Sequence, residues 1–286
     1  MSSFPLFPTE AVRRPVASVA SNSPVRVLDR LAALPKLAEV MPASRLTVQP
    51  VPEMVPSGVR EVDSLTGGLP RGCLTEVCGS VSSGRTSLLL AVLAAATQRR
   101  EACALVDVND AFDPVSAAMA AVNFESLLWV RCETSPPQRR RDTEKTNPKH
   151  ERLYHRRMET PVEQALRVTD LLLQSGGFGL VVLDLGDVPL KIARRIPLTS
   201  WFRFQRAIEH TPTVLFVITQ SPCAQTCAAL LLKLSAVSFQ QAAQTPSHAA
   251  LLNDLRIETE ILRSRMLRKP AQSATAAFST KTVRAG

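Results

Sequence analysis

A chain of 286 residues holds one sizeable domain or two small ones. Hydrophobic residues at 45% supply a core, aromatics at 5% leave Ala, Val and Leu to fill it, and no apolar run reaches the roughly 18 residues of a membrane span. A net charge of +9 favours an anionic partner such as nucleic acid. The N-terminus lacks a charged region followed by an apolar one, so the expected compartment is the cytoplasm. Six cysteines are scattered, and four of them lie in or beside apolar runs, where reduced cysteine behaves as a small hydrophobe. Cys223 and Cys227 have no second ligand pair at a usable spacing for zinc.

Residues 1–54 read as a flexible, proline-rich arm with one short helix in Val25 to Val40, where Pro35 interrupts the helical spacing. An ordered core is expected over 55–269. The glycine-rich turn Gly67-Gly68-Leu69-Pro70-Arg71-Gly72 leads into Leu74 to Cys78, an apolar run with the length of a buried strand. Gly79-Ser80-Val81-Ser82-Ser83-Gly84-Arg85-Thr86-Ser87 follows, and then an apolar segment of high helix propensity that ends at Arg99 and Arg100. Strand, glycine-bounded loop and helix form the context in which a chain turns back sharply and offers backbone N–H groups to phosphate. The pattern is G-x-x-x-x-G-K-[ST] with one departure, Arg85 at the lysine position. Lysine reaches phosphates as a slim point charge, whereas arginine is a longer planar fork. Phosphate binding by Gly79 to Ser87 is therefore expected to outlast hydrolysis. The plain alternative is a serine-rich turn.

A second strand is expected over Ala102 to Val108, then a helix capped by Asp113 with Pro114 first, ending near Val122, and a third strand over Leu127 to Cys132. Residues 136–159 hold eight Lys or Arg against four acids, with Tyr154 their only aromatic residue, and include His150 and His155. This basic insertion reads as a solvated disordered loop or as an electrostatic nucleic-acid contact, and the two readings are compatible. Thr160-Pro161-Val162-Glu163 opens a helix that stops at Gly176-Gly177. A strand over Leu180 to Asp184, a helix from Thr199 or Ser200 to about His210, and a strand over Thr213 to Thr219 ending at Gln220 come next. Leu230 to Phe239 and Leu255 to Leu262 read as two further strands, and residues 270–286 as a disordered tail. Strands alternating with capped helices give an α/β fold, a mostly parallel sheet with helices on both faces. Gly79, Asp107, Asp184 and Gln220 then share the rim at the carboxyl ends of the strands, where ligands bind.

In order, GGLPRGCLTEVCGSVSSGRTS, CALVDVNDAFDP, LVVLDL, TVLFVITQ and a strand pair ending RIETEILRSRM resemble the core of the RecA recombinase family, from about Ser57 to Lys269. The resemblance implies a RecA-like P-loop NTPase core with antiparallel strands at its C-terminal end, binding ATP or ADP with Mg²⁺. It implies that Gly79 to Ser87 hold the phosphates, that Thr86 and Asp184 serve the metal, that Asp113 contacts the adenine amino group, and that Gln220 senses the γ-phosphate. The departures run the other way. Asn109 stands where the family's glutamate orients the attacking water, Ser116 where an aromatic residue stacks on the base, and Leu185 where a hydroxyl residue follows the acid. The segment Ser221 to Ala229 is short beside the family's DNA loop, and the tail from Ala271 stands in place of its C-terminal domain. This combination resembles ImuA-type proteins, RecA relatives that accompany a mutagenic translesion polymerase. It implies an accessory of DNA repair and SOS mutagenesis with weak or no ATP hydrolysis. Its implied partners are single-stranded DNA through 136–159, a translesion polymerase or RecA, or a second copy of itself, and no membrane. The competing readings are an active DNA-dependent ATPase of the RecA family and a regulatory ATPase with no DNA role.

Overall fold

A computed structural model describes residues 51–132, 159–241, 252–266 and 274–281. Residues 1–50 of the arm expected over 1–54, including the helix expected there, nearly all of the basic insertion, and the tail outside 274–281 lie outside the described residues. Of the insertion only Glu159 is described, where it accepts from Arg167 Nη1 at 2.8 Å.

In chain order the elements are β1 (Met54–Val55), α1 (Arg60–Thr66), β2 (Leu69–Pro70), β3 (Leu74–Gly79), α2 (Arg85–Gln98), β4 (Cys103–Asp107), α3 (Pro114–Met119) and β5 (Leu127–Arg131). Then come α4 (Pro161–Ser175), β6 (Leu180–Asp184), α5 (Leu190–Ala193), α6 (Leu198–Ile208), β7 (Val214–Thr219), β8 (Ala228–Gln241), β9 (Leu252–Ser264) and β10 (Thr275–Lys281). β1 and β2 pair as a small antiparallel ribbon, and the rest form one sheet in the order β10-β9-β8-β3-β7-β6-β4-β5. The strands from β8 to β5 run parallel, while β9 and β10 are antiparallel to their neighbours.

Every residue of β3, β4 and β7 is buried because both faces of the sheet are covered, so these strands are mostly apolar in sequence. Alternate residues feed two cores. Val77, Leu105, Val182 and Phe216 pack under α2 with Leu88, Leu89, Val92 and Leu93. Leu74, Val106, Val181 and Leu215 meet Ala165 and Leu173 of α4 and the Trp201, Phe204 and Ile208 stripe of α6. The capping box forms on α4, with Thr160 Oγ1 accepting from Glu163 N at 3.2 Å and Thr160 N donating to Glu163 Oε2 at 2.9 Å.

The structure corrects the sequence reading in four places. α3 stops at Met119, short of Val122, because Ala121 takes φ 63° and Asn123 N turns to the side-chain oxygen of Thr97 at 3.1 Å. α6 begins at Leu198 behind Pro197, which offers no capping side chain. The four-residue α5 carried no apolar period long enough to read. The tail read as disordered contributes β10, which completes the sheet edge by backbone pairing with β9 and buries Phe278, opposite Ile257. Backbone pairing needs no side-chain period, so Ala, Ser and Thr can enter a sheet without announcing it.

Candidate nucleotide-binding site

Register places the rim. Asp107 pairs with Asp184 across β4 and β6, Asp184 with Ile218, and Cys78 with Thr219, so Gly79 and Gln220 leave the sheet on the same side as both acids. From Gly79 the chain turns back through Ser80 to Ser83, where Ser83 N donates to Ser80 O at 3.2 Å. Ser82 has φ 59° and Gly84 φ 92°, and α2 starts at Arg85 with no side-chain cap, leaving its first N–H groups to the loop. The glycines are sterically required: a Cβ on Gly84 would lie 2.1 Å from Ile257 Cδ1, and one on Gly79 would lie 2.6 Å from Leu234 O. The antiparallel pair β8 and β9 thus forms the back wall of the loop. The hydroxyl of Ser83 is buried within it and has no hydrogen-bond partner. An uncapped helix N-terminus and an orphaned buried hydroxyl suit a phosphate.

Arg85 is only 8% exposed, and its Nη1 donates to Gly186 O at 2.9 Å, so the fork reaches the turn after β6. Gly186 N in turn donates to Asp184 Oδ1 at 2.8 Å. Burial pushes the Asp184 carboxyl up to about 6; the Gly186 N–H and Arg85 pull against that, while Asp107 and Asp187 add to it. A cavity of about 90 Å³ brings together Arg85, Thr86, Asp113, Asp184 and Asp187. Beside it, a groove of about 630 Å³ runs along α2 past Ser87, Ala94, Met119 and Thr280. Leu90 and Ser116 line both.

The other expected residues fare differently. Asp113 borders the small cavity, but its carboxylate is occupied in capping α3, accepting from Val115 N at 3.1 Å, Ser116 N at 3.0 Å and Ser116 Oγ at 2.5 Å. The Ser116 hydroxyl and the two amides hold it below the usual carboxylate range. Asp107 is likewise occupied, accepting from the amides of Asn109, Ala111 and Phe112. Asn109 is exposed and lines neither cavity, and neither does Gln220.

One residue escaped the sequence reading. Glu76, fully buried in the middle of β3, accepts from Thr219 Oγ1 at 3.2 Å, Cys223 N at 2.7 Å and, through Oε2, Ala224 N at 3.2 Å. Burial raises its pKa despite these donors. From the other side, Arg263 of β9 and Arg265 just beyond its end donate to the carbonyls of Gln225 and Thr226. The segment after Gln220 is therefore pinned at both ends. The signal was present as a lone acid inside an otherwise buried strand, LTEVCG.

Residues 38–137 match the model of the RecA N-terminal domain, a span that begins inside the segment read as an arm. The chain is similar to Protein RecA of Ectopseudomonas oleovorans, 36% identical over 168 residues, which is 54% of this chain and 40% of that protein. It is also similar to Protein RecA of Methylococcus capsulatus, 34% identical over 184 residues (59% and 45%), and to Protein RecA of Brucella anthropi, 34% over 134 residues (46% and 30%). The matches thus span less than half the length of each of these relatives.

Proposed function

The core of this chain belongs to the RecA family, and we propose that it is a nucleotide-binding member with a degenerate catalytic site, an accessory in DNA repair, SOS mutagenesis and translesion synthesis. One observation carries the reading: the guanidinium at the lysine position is bonded to Gly186 O. A side chain engaged with the protein's own carbonyl is poorly placed to follow a γ-phosphate through hydrolysis.

ATP or ADP fits the residues present. Gly79 to Ser87 would hold the phosphates through backbone N–H groups and the Ser83 hydroxyl, and the groove past Ser116 would take the base without a stacked ring. Asp113 would reach an adenine amino group only by releasing part of its cap. The bound nucleotide would supply an anhydride, which this chain is poorly equipped to split. The reading as an active DNA-dependent ATPase needs a carboxylate to replace the missing glutamate. Asp107 does not favour it, because both of its oxygens are held by amides.

In this role the protein acts in the cytoplasm through contacts with other proteins, a translesion polymerase or RecA among them, and through single-stranded DNA at the basic insertion 136–159. Among the described residues no helix is long and apolar enough to cross a membrane. ATP binding by calorimetry, with turnover measured with and without single-stranded DNA, tests the proposal. Binding with negligible turnover supports it, and robust DNA-stimulated hydrolysis overturns it.

A further inference from the structure

We infer that this site takes its phosphorylated ligand without a divalent cation, Arg85 supplying from within the protein the positive charge that a metal would bring. The inference rests on the nucleotide reading of the loop and concerns what neutralises the ligand there.

Thr86 and Asp184, the pair expected to serve Mg²⁺, do border one cavity, but the buried guanidinium shares it. Its place is built. Arg85 Nη1 and Asp184 Oδ1 both bond to Gly186, and a Cβ on Gly186 would lie 2.9 Å from that carboxylate oxygen and 3.1 Å from that nitrogen. Glycine at 186 leaves room for both the guanidinium and the carboxylate against this one residue. The guanidinium is a delocalised cation with a planar fork of donors. Mg²⁺ demands a near-octahedral shell of oxygens and gives up water reluctantly. Here it would have to insert beside a fixed cation, with one carboxylate already bonded to an amide. The guanidinium spends one of its five donors on Gly186 O, and its remaining N–H groups can take a phosphate oxygen pair in fork geometry.

The experiment is calorimetric titration of the full chain with ADP and with ATP, once in MgCl₂ and once in EDTA, for the parent, Arg85→Lys and Asp184→Asn, with thermal melting to confirm that each variant is folded. The parent is expected to bind with dissociation constants that agree within about threefold between the two media. Arg85→Lys, which withdraws the fork, is expected to bind at least tenfold more tightly with Mg²⁺ than without. Asp184→Asn is expected to change affinity equally in both media, because Asp184 answers to Arg85 rather than to a metal. Manganese added to the parent with ADP is expected to give the electron spin resonance signal of the same mixture without protein. A parent that binds tenfold or more tightly with Mg²⁺, or a protein-immobilised Mn²⁺ signal, overturns the inference and leaves the nucleotide reading standing. Binding by Arg85→Lys but not by the parent also overturns it, because the guanidinium then blocks the site instead of serving it. If neither binds in either medium, the nucleotide reading fails and this inference with it.

Discussion

Replacing Glu76 with alanine should destabilise the protein by about 2–6 kcal/mol. The figure comes from two buried amides left without an acceptor, Cys223 N at 2.7 Å and Ala224 N at 3.2 Å, each costing about 1–3 kcal/mol. The Thr219 hydroxyl can rotate to another acceptor and is left out of the sum. Glu76→Gln keeps one carbonyl oxygen and the side-chain volume, so it should cost only about 1–2 kcal/mol. The two variants also separate charge from hydrogen bonding. Burial raises the Glu76 pKa above 4.5, so the folded state holds its proton more tightly than the unfolded chain. The stability this contributes is complete below pH 4.5 and is lost as pH rises through the higher folded value. Glu76→Gln should abolish that decline, which is read by urea unfolding followed by circular dichroism between pH 4 and pH 8. Hydrogen exchange at the Cys223 and Ala224 amides should accelerate in Glu76→Ala beyond the loss of global stability. An alanine variant within 1 kcal/mol of the parent, with those amides still protected, would show that the carboxylate does not hold the segment after Gln220.

Three further outcomes are expected. The double substitution Arg85→Lys with Asn109→Glu should raise ATP turnover by about 10²-fold or more over the parent, since it restores both the slim cation and a proton acceptor; unchanged single-turnover rates would move the defect elsewhere. Serine at Arg139, Arg140, Arg141, Arg156 and Arg157 should flatten the salt dependence of single-stranded DNA binding by about 0.7 in log–log slope for each phosphate no longer neutralised, while Tyr154→Ala lowers affinity with the slope intact; an unchanged slope in the five-serine variant assigns DNA binding to a partner. At Glu101, burial alone would raise the pKa, but hydrogen bonds from Arg99 and Arg71 at 2.9 and 2.7 Å bring it below 4.5. The stabilisation is therefore present above pH 4.5 and disappears as pH falls through the lowered value, so the advantage of the parent over Glu101→Gln should vanish in acid melts.

Much of this molecule was legible as a string of letters because its signals are local. A strand buried on both faces is mostly apolar, so β3, β4, β6 and β7 declared themselves as apolar-rich runs, Glu76 in β3 being an exception. Helix ends need side-chain acceptors or left-handed residues, so Thr160 with Glu163, Asp113 before Pro114, and Gly176 marked boundaries that the structure keeps. The turn from Gly79 to Gly84 was readable for the same reason, since the glycines stand where a Cβ would strike a wall.

What tertiary structure alone decided are the pairings between distant segments. That Arg85 would bond to the carbonyl of Gly186, 101 residues away, depends on β6 lying two strands from β3, which only the sheet order settles. That Glu76 would grip Cys223 and Ala224 depends on β7 docking beside β3 in one register. β10 entered the sheet because β9 presented an unpaired edge, a condition absent from its own composition. Amino-acid sequence by itself determined periodicity, caps and the charge inventory, since each acts over a few residues. The partners of those charges were decided in three dimensions, because a buried polar group bonds to whatever the packed sheet brings within about 3 Å of it.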